Sequence, residues 1–176
     1  MTAASLKDLY ERKRRAMLKR PSFARATGQA RVRLGPDLYC EVEEGPARIC
    51  VDQAADDGGR GSAPHPDQML RATLVACLAM GYRQWGARLD VRIDDVEVEM
   101  LDETDVRGQL GIADVAVGWQ RIVVDVRITS PAAEADVRRV VETADRLSFV
   151  LANLSPAIER VHRLRIEPAR APVTER

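Results

Sequence analysis

The stretch Pro66-Asp67-Gln68-Met69-Leu70-Arg71-Ala72-Thr73-Leu74-Val75-Ala76-Cys77-Leu78-Ala79-Met80 constrains this chain more than any other. It reads as a mostly apolar helix running on to about residue 86. Pro66 brings a pre-set φ to the first helical position, and Asp67 places a negative charge at the positive end of the helix dipole. At roughly twenty residues it still carries charges, and no apolar run in the chain approaches the ~18 residues of a membrane span. Its one thiol, Cys77, is either core filler or a nucleophile.

Strand patterns flank this helix in sequence. Segments 29–34, 38–44 and 47–52 alternate, and Gly35-Pro36-Asp37 and Gly45-Pro46 between them are turn chemistry, so a three-strand antiparallel meander is expected. Leu38, Cys40 and Val42 share one side, as do Ala47, Ile49 and Val51, which makes Cys40 a small core residue and leaves Cys50 on the polar side. Residues 53–63 read as a flexible loop. After the helix come strands at 92–101, 111–119 and 121–129, with a bulge near Ala113-Asp114. Ser130-Pro131 reads as N-cap and first residue of a second long helix reaching about Asn153. Ser155-Pro156 starts a short helical turn, and 161–167 is a closing strand. The order β-β-β-α-β-β-β-α-β is α+β, with two main helices serving mostly antiparallel sheet.

Ahead of this lies a helical segment, about 5–19, with six Lys or Arg between Glu11 and Arg20. Lys plus Arg and Asp plus Glu number 27 each, so the chain has no net charge to recruit nucleic acid or anionic membrane. No aromatics interleave with the basic run, and it reads as a solvated face. The first eight residues lack the apolar core of a signal peptide. Three cysteines is an odd number, ill-suited to a secreted disulfide framework, and a reducing cytoplasm is the expected compartment. His65 and His162 are isolated, CxxC is absent, and no spacing calls for a metal or cofactor. The expected organisation is a basic helical extension at 1–27, a folded domain at 28–168 and a disordered tail at 169–176.

Thiolate is the reactive form of cysteine, and a cation, a helix N-terminus or a hydrogen-bond donor must lower the thiol pKa. Cys77 lies three turns past Pro66, roughly 16 Å along the axis, beyond reach of the helix dipole. Its activation has to come from elsewhere, most simply an arginine. On position alone, a cysteine between Ala76 and Leu78 is core filler.

Gly58-Gly59, then Pro64-His65-Pro66-Asp67-Gln68-Met69-Leu70, then Ala72 to Ala76-Cys77, resembles the OsmC/Ohr family of hydroperoxide-reducing proteins, in which a Gly-rich loop and a P-x-E-L-L segment open the cysteine-bearing helix. The similarity continues through 89–100 and the paired strands to Ala144-Asp145-Arg146-Leu147-Ser148-Phe149-Val150, where the family commonly shows Cys-Pro-Val. It covers about 29–167, leaving the basic helix outside. The resemblance implies an intertwined homodimer with interface active sites built from a peroxidatic cysteine, a resolving cysteine, an arginine and a glutamate. It assigns the peroxidatic role to Cys77, matches Asp67 to the glutamate one methylene shorter, and puts Ser148 where the resolving cysteine would be, followed by Phe149 instead of proline. For the arginine, Arg33 and Arg48 are the nearest candidates and Arg60 a third.

Two consequences follow. Asp67 and Cys77 are ~15 Å apart on a straight helix, so Asp67 would serve a partner's site, or else be simply a helix-dipole acid. Serine cannot condense with a sulfenic acid to a disulfide, so the intramolecular resolving step is lost. Three possibilities stay open: a one-cysteine reductase of organic hydroperoxides recycled by an external thiol, Cys50 as substitute resolver, or a degenerate dimer that keeps an apolar interface pocket for a small ligand.

Overall fold

The structure, a computed structural model, describes residues 2–35 and 37–169. Pro36, in the first hairpin turn, and residues 170–176 of the expected tail lie outside the described residues. The chain forms two compact units, divided within helix α1 (Ala3–Lys19) after Glu11 and within helix α2 (Pro66–Arg88) after Thr73.

The first unit, residues 12–73, is built on the meander β1 (Ala30–Leu34), β2 (Cys40–Glu44) and β3 (Ala47–Val51). All pairs are antiparallel, and Val32 aligns with Val42 and Ile49, while Leu34 aligns with Cys40 and Val51. One side of the sheet is therefore apolar, and the other carries Arg31, Arg33, Glu41, Glu43, Arg48 and Cys50. Cys40 is half-buried and Cys50 exposed.

The second unit holds β4 (Asp95–Thr104), β5 (Trp119–Thr129) and β6 (Glu159–Glu167), with α4 (Glu134–Arg146) and the short helices α3 (Val106–Gln109) and α5 (Phe149–Ala152). Strand β5 is central, antiparallel to β4 and parallel to β6. Burial follows each element's own period: Leu74, Leu78 and Tyr82 recur every four residues on α2, and Val137, Val140, Val141 and Ala144 form an i, i+3, i+4, i+7 stripe on α4. Both stripes join Ile122, Val124, Val126 and Ile128 of β5 in one core cluster. Burying each such side chain is worth about 1.5–3 kcal/mol, which is why the central strand and these stripes fix the unit.

Several expectations are corrected. Residues 111–118 are not a strand: Gly111 and Gly118 take positive φ of 67° and 86°, and Ile112 and Val117 are each 70% exposed. Alternation there was real, but glycines at both ends turn the segment away from the sheet. The register irregularity falls instead at Glu103/Thr104. The second long helix starts at Glu134, because the Ser130 hydroxyl binds the Arg92 carbonyl at 2.5 Å and accepts from the Ala132 amide at 3.1 Å. That helix also breaks, ending at Arg146, and a new helix begins after Ser148. Residues after Ser155-Pro156 form turns and no helix.

Candidate functional site

Cys77 is half-buried on α2, and its Sγ lies 3.9 Å from the Ser148 Oγ. Ser148 is there because the chain changes direction between α4 and α5. Its hydroxyl caps α5, accepting from the Leu151 amide at 3.3 Å, and the residue is 8% exposed. Among the described residues, Ser148 Oγ is the one hydrogen-bonding atom in reach of the thiol.

The thiol opens on a cleft of about 240 Å³ lined by Met80, Trp85, Leu147 and Phe149, with Ser148, Gln84 and Arg88 as its polar members. Cys77, Gly81, Gln84 and Arg88 follow i, i+4, i+7, i+11 spacing, so one stripe of α2 forms a wall. Arg88 donates to Gln84 Oε1 at 3.2 Å, and its guanidinium stacks on Tyr10 and Trp85, 4.4 and 4.7 Å from the ring centroids. Burial pushes its pKa down, opposed by Tyr10. Arg88 is thus the one cation of the cleft lining, three turns and roughly 16 Å along α2 from Cys77, and sequence reasoning missed it. The helical spacing from Cys77 was the available signal.

On the neighbouring stripe Tyr82 is fully buried, and its hydroxyl donates to Asp145 Oδ1 at 2.8 Å. The other oxygen of Asp145 lies 3.2 Å from His162 Nδ1. Burial, then the Asp145 charge and hydrogen bond, with Cys77 adding to them, push the phenol pKa far up. His162 is therefore not isolated.

The remaining predicted residues belong to the first unit. Asp67 bonds His65 Nδ1 and pairs with Arg71 at 2.9 Å. Partial burial raises its carboxyl, but the hydrogen bonds and charges of His65 and Arg71 outweigh this and hold it below the usual range. Its ionic partner is thus Arg71, one turn on along α2, and His65 too has a carboxylate neighbour. Arg33 stands opposite Glu41 and Arg48 opposite Glu43 across the meander. Arg60 bonds Asp37 through Nε at 2.8 Å and lies over the Tyr39 ring, while Tyr39 donates to Cys50 Sγ at 3.1 Å. The structure brings Cys77 and Ser148 together, and within the first unit it gives Asp67, Arg33, Arg48 and Arg60 each a carboxylate or basic neighbour.

The loop at 53–63, expected to be flexible, is organised around Asp52, which is 1% exposed. Its carboxylate accepts from Ser62 N at 2.9 Å, Ser62 Oγ at 2.8 Å, Gln53 N at 2.8 Å and Arg60 N at 3.3 Å. The Ser62 amide leads these bonds in lowering its pKa, against the opposing effect of burial, to about 2. Gly59 packs so closely that a Cβ there would sit 2.1 Å from the Gln53 carbonyl oxygen.

Among the described residues no three His, Cys, Asp or Glu side chains gather to hold a metal, and no helix is long and apolar enough to cross a membrane.

This combination of a three-strand meander, a cysteine-bearing helix and a mixed three-strand sheet defines an α+β protein of the OsmC-like fold. The family model described as OsmC-like protein matches residues 59–161, and the chain belongs to that family. Solved structures agree in fold. An OsmC-like protein from Mycoplasma pneumoniae superposes with a TM-score of 0.68 at 12% identity, covering 81% of this chain and 98% of that one. An organic hydroperoxide resistance protein from Elizabethkingia anophelis gives 0.63 at 14%, covering 81% and 98%. An organic hydroperoxide resistance protein OsmC from Legionella pneumophila gives 0.60 at 16%, covering 79% and 96%. No curated protein matches the chain.

Proposed function

We propose that the chain is a one-cysteine, thiol-dependent reductase of organic hydroperoxides, with Cys77 as nucleophile. The observation that carries this reading is the Cys77 thiol in a largely apolar cleft, facing a hydroxyl where a resolving thiol would stand. Apolar walls favour an alkyl hydroperoxide over hydrogen peroxide. The Cys77 thiolate attacks the outer peroxide oxygen, the O–O bond breaks, and the alkoxide leaves to be protonated as the alcohol. Cys77 becomes a sulfenic acid. A first external thiol condenses with it, releasing water and leaving a mixed disulfide. A second thiol reduces that disulfide, restoring Cys77 and carrying away both electrons' oxidation as the external disulfide. Arg88, three turns and roughly 16 Å along α2 from Cys77, stands too far off to stabilise its thiolate, so in this reading the activating cation is an arginine of a partner copy.

The family membership and the neighbours named for organic hydroperoxide resistance support this reading. In this reading a second copy of the chain completes the site as a homodimer, over the apolar side of the meander that Val32 and Leu34, 56% and 55% exposed, leave partly uncovered. In that dimer Asp67, with Arg33, Arg48 or Arg60, would serve the partner's thiol. Residues 1–27 would be a basic extension of the 28–168 domain, and the reducing cytoplasm the compartment.

One observation favours the alternative, a non-catalytic dimer binding a small apolar ligand: the atom beside Cys77 is a hydroxyl already engaged as a helix cap. Exposure to cumene hydroperoxide separates the two. Sulfenic acid trapped on Cys77 by dimedone, absent in Cys77→Ser, is the expected result; an unmodified Cys77 at millimolar peroxide would leave the ligand-binding reading.

A further inference from the structure

A second cavity also borders the α4–α5 elbow. It measures about 400 Å³, and Leu78, Ile122, Val124, Leu151 and Val161 are among its walls. Its size falls within the range of small-molecule sites, which combine apolar walls with a few placed polar groups. Here those groups are unusual in sign. Asp145 is the one carboxylate of the lining, and it is already engaged by the Tyr82 hydroxyl and His162. Arg146 and Arg160 complete the lining, both exposed. Arg160 donates to the carbonyls of Leu154 and Ser155, both at 3.2 Å, which orient the guanidinium without cancelling its charge. Among the described residues neither arginine has a carboxylate partner, although the sheet beside them is laced with ion pairs such as Arg121–Glu103 and Arg163–Asp125.

We infer that this cavity binds an aliphatic carboxylate, with the tail against Leu78, Ile122, Val124, Leu151 and Val161 and the head group held by Arg146 and Arg160. Charge complementarity selects the head: guanidinium matches a planar carboxylate with paired hydrogen bonds. The apolar walls select the tail, since a small polar anion would leave them wet. The cavity shares only Leu78 with the lining of the thiol's cleft, so it does not depend on the chemistry proposed for Cys77.

Titration calorimetry of the full chain with decanoate, below its micelle concentration, tests this. Saturable one-to-one binding is expected, retained in Cys77→Ser and weakened at least tenfold in the Arg146→Gln/Arg160→Gln double variant. Decanol, with the same tail and no charge, should bind at least tenfold more weakly than decanoate. Ala152→Phe, which fills the cavity from its lining, should abolish binding while circular dichroism stays native. No saturable binding by the native chain, equal affinity for decanol, or unchanged affinity in the double arginine variant would each overturn the inference. So would finding these residues covered in a dimer that excludes decanoate.

Discussion

Replacing Ser148 with cysteine converts the closest contact of Cys77 into a redox test. The Oγ at position 148 is 3.9 Å from the Cys77 sulfur, and a side-chain rotation closes that gap to the ~2.05 Å of an S–S bond. The two positions are 71 residues apart, and closing a loop of that length removes enough unfolded-chain entropy to stabilise by about 4 kcal/mol at 25 °C. Losing the hydroxyl cap on α5 costs about 1 kcal/mol. The oxidised variant should therefore gain about 3 kcal/mol over the native chain, a rise in Tm of roughly 6–12 °C at this size. The reduced variant should be about 1 kcal/mol less stable than the native chain. The assay uses a Cys50→Ser background, because Cys50 is exposed. One equivalent of cumene hydroperoxide should remove about 2 Da by intact mass as two thiols join with loss of two hydrogens, and reductant should reverse both mass and Tm. A variant that oxidises without losing two free thiols, or gains no stability on crosslinking, would refute the facing geometry of 77 and 148 on which the site reading rests.

Tyr82→Phe leaves the buried end of Asp145 without its 2.8 Å donor, and thermal denaturation should show a loss of about 1–3 kcal/mol. Arg88→Gln removes a cation three turns along α2 from Cys77, so the rate of Cys77 oxidation should be unaltered at neutral pH while circular dichroism stays native; a several-fold fall would show that its charge does reach the thiol. Asp52 has its pKa lowered from the ordinary 3.8 to about 2, so the stability it confers is complete above pH 4 and disappears as the pH falls towards 2. Acid titration of Asp52→Asn should lack that part of the unfolding slope, and a profile identical to the native chain's would show that the loop does not depend on the carboxylate.

What the sequence carried, and what it hid, differ in range of interaction. The meander and α2 were legible because their signals are local: alternation bounded by Gly-Pro turns, and a proline at a helix start. The parallel β6 and the loss of the 111–119 strand were not, since exposed Ile112 and Val117 alternate as well as any buried pair, and only the positive φ at Gly111 and Gly118 removes them from the sheet. The facing of Cys77 and Ser148 was expected through resemblance rather than periodicity. Asp52, Arg88 and the Tyr82–Asp145–His162 cluster went unnoticed because each acquires its meaning from partners 8 to 63 residues away or from rings stacked on it across elements.

Ser148 connects the redox question to the fold. A cysteine there would offer a thiol, a weak acceptor, to the Leu151 amide, and the α4–α5 turn would lose a good cap. Serine accepts that amide well and leaves the elbow defined. The elbow borders two cavities of different character: the cleft of Cys77 and the Arg146–Arg160 cavity. In the proposed reading, a serine in place of a resolving thiol has a structural return, a firmly capped turn, available only if the oxidised Cys77 is recycled from outside or never forms. The cap and the intramolecular disulfide compete for one side chain, and this chain carries the cap.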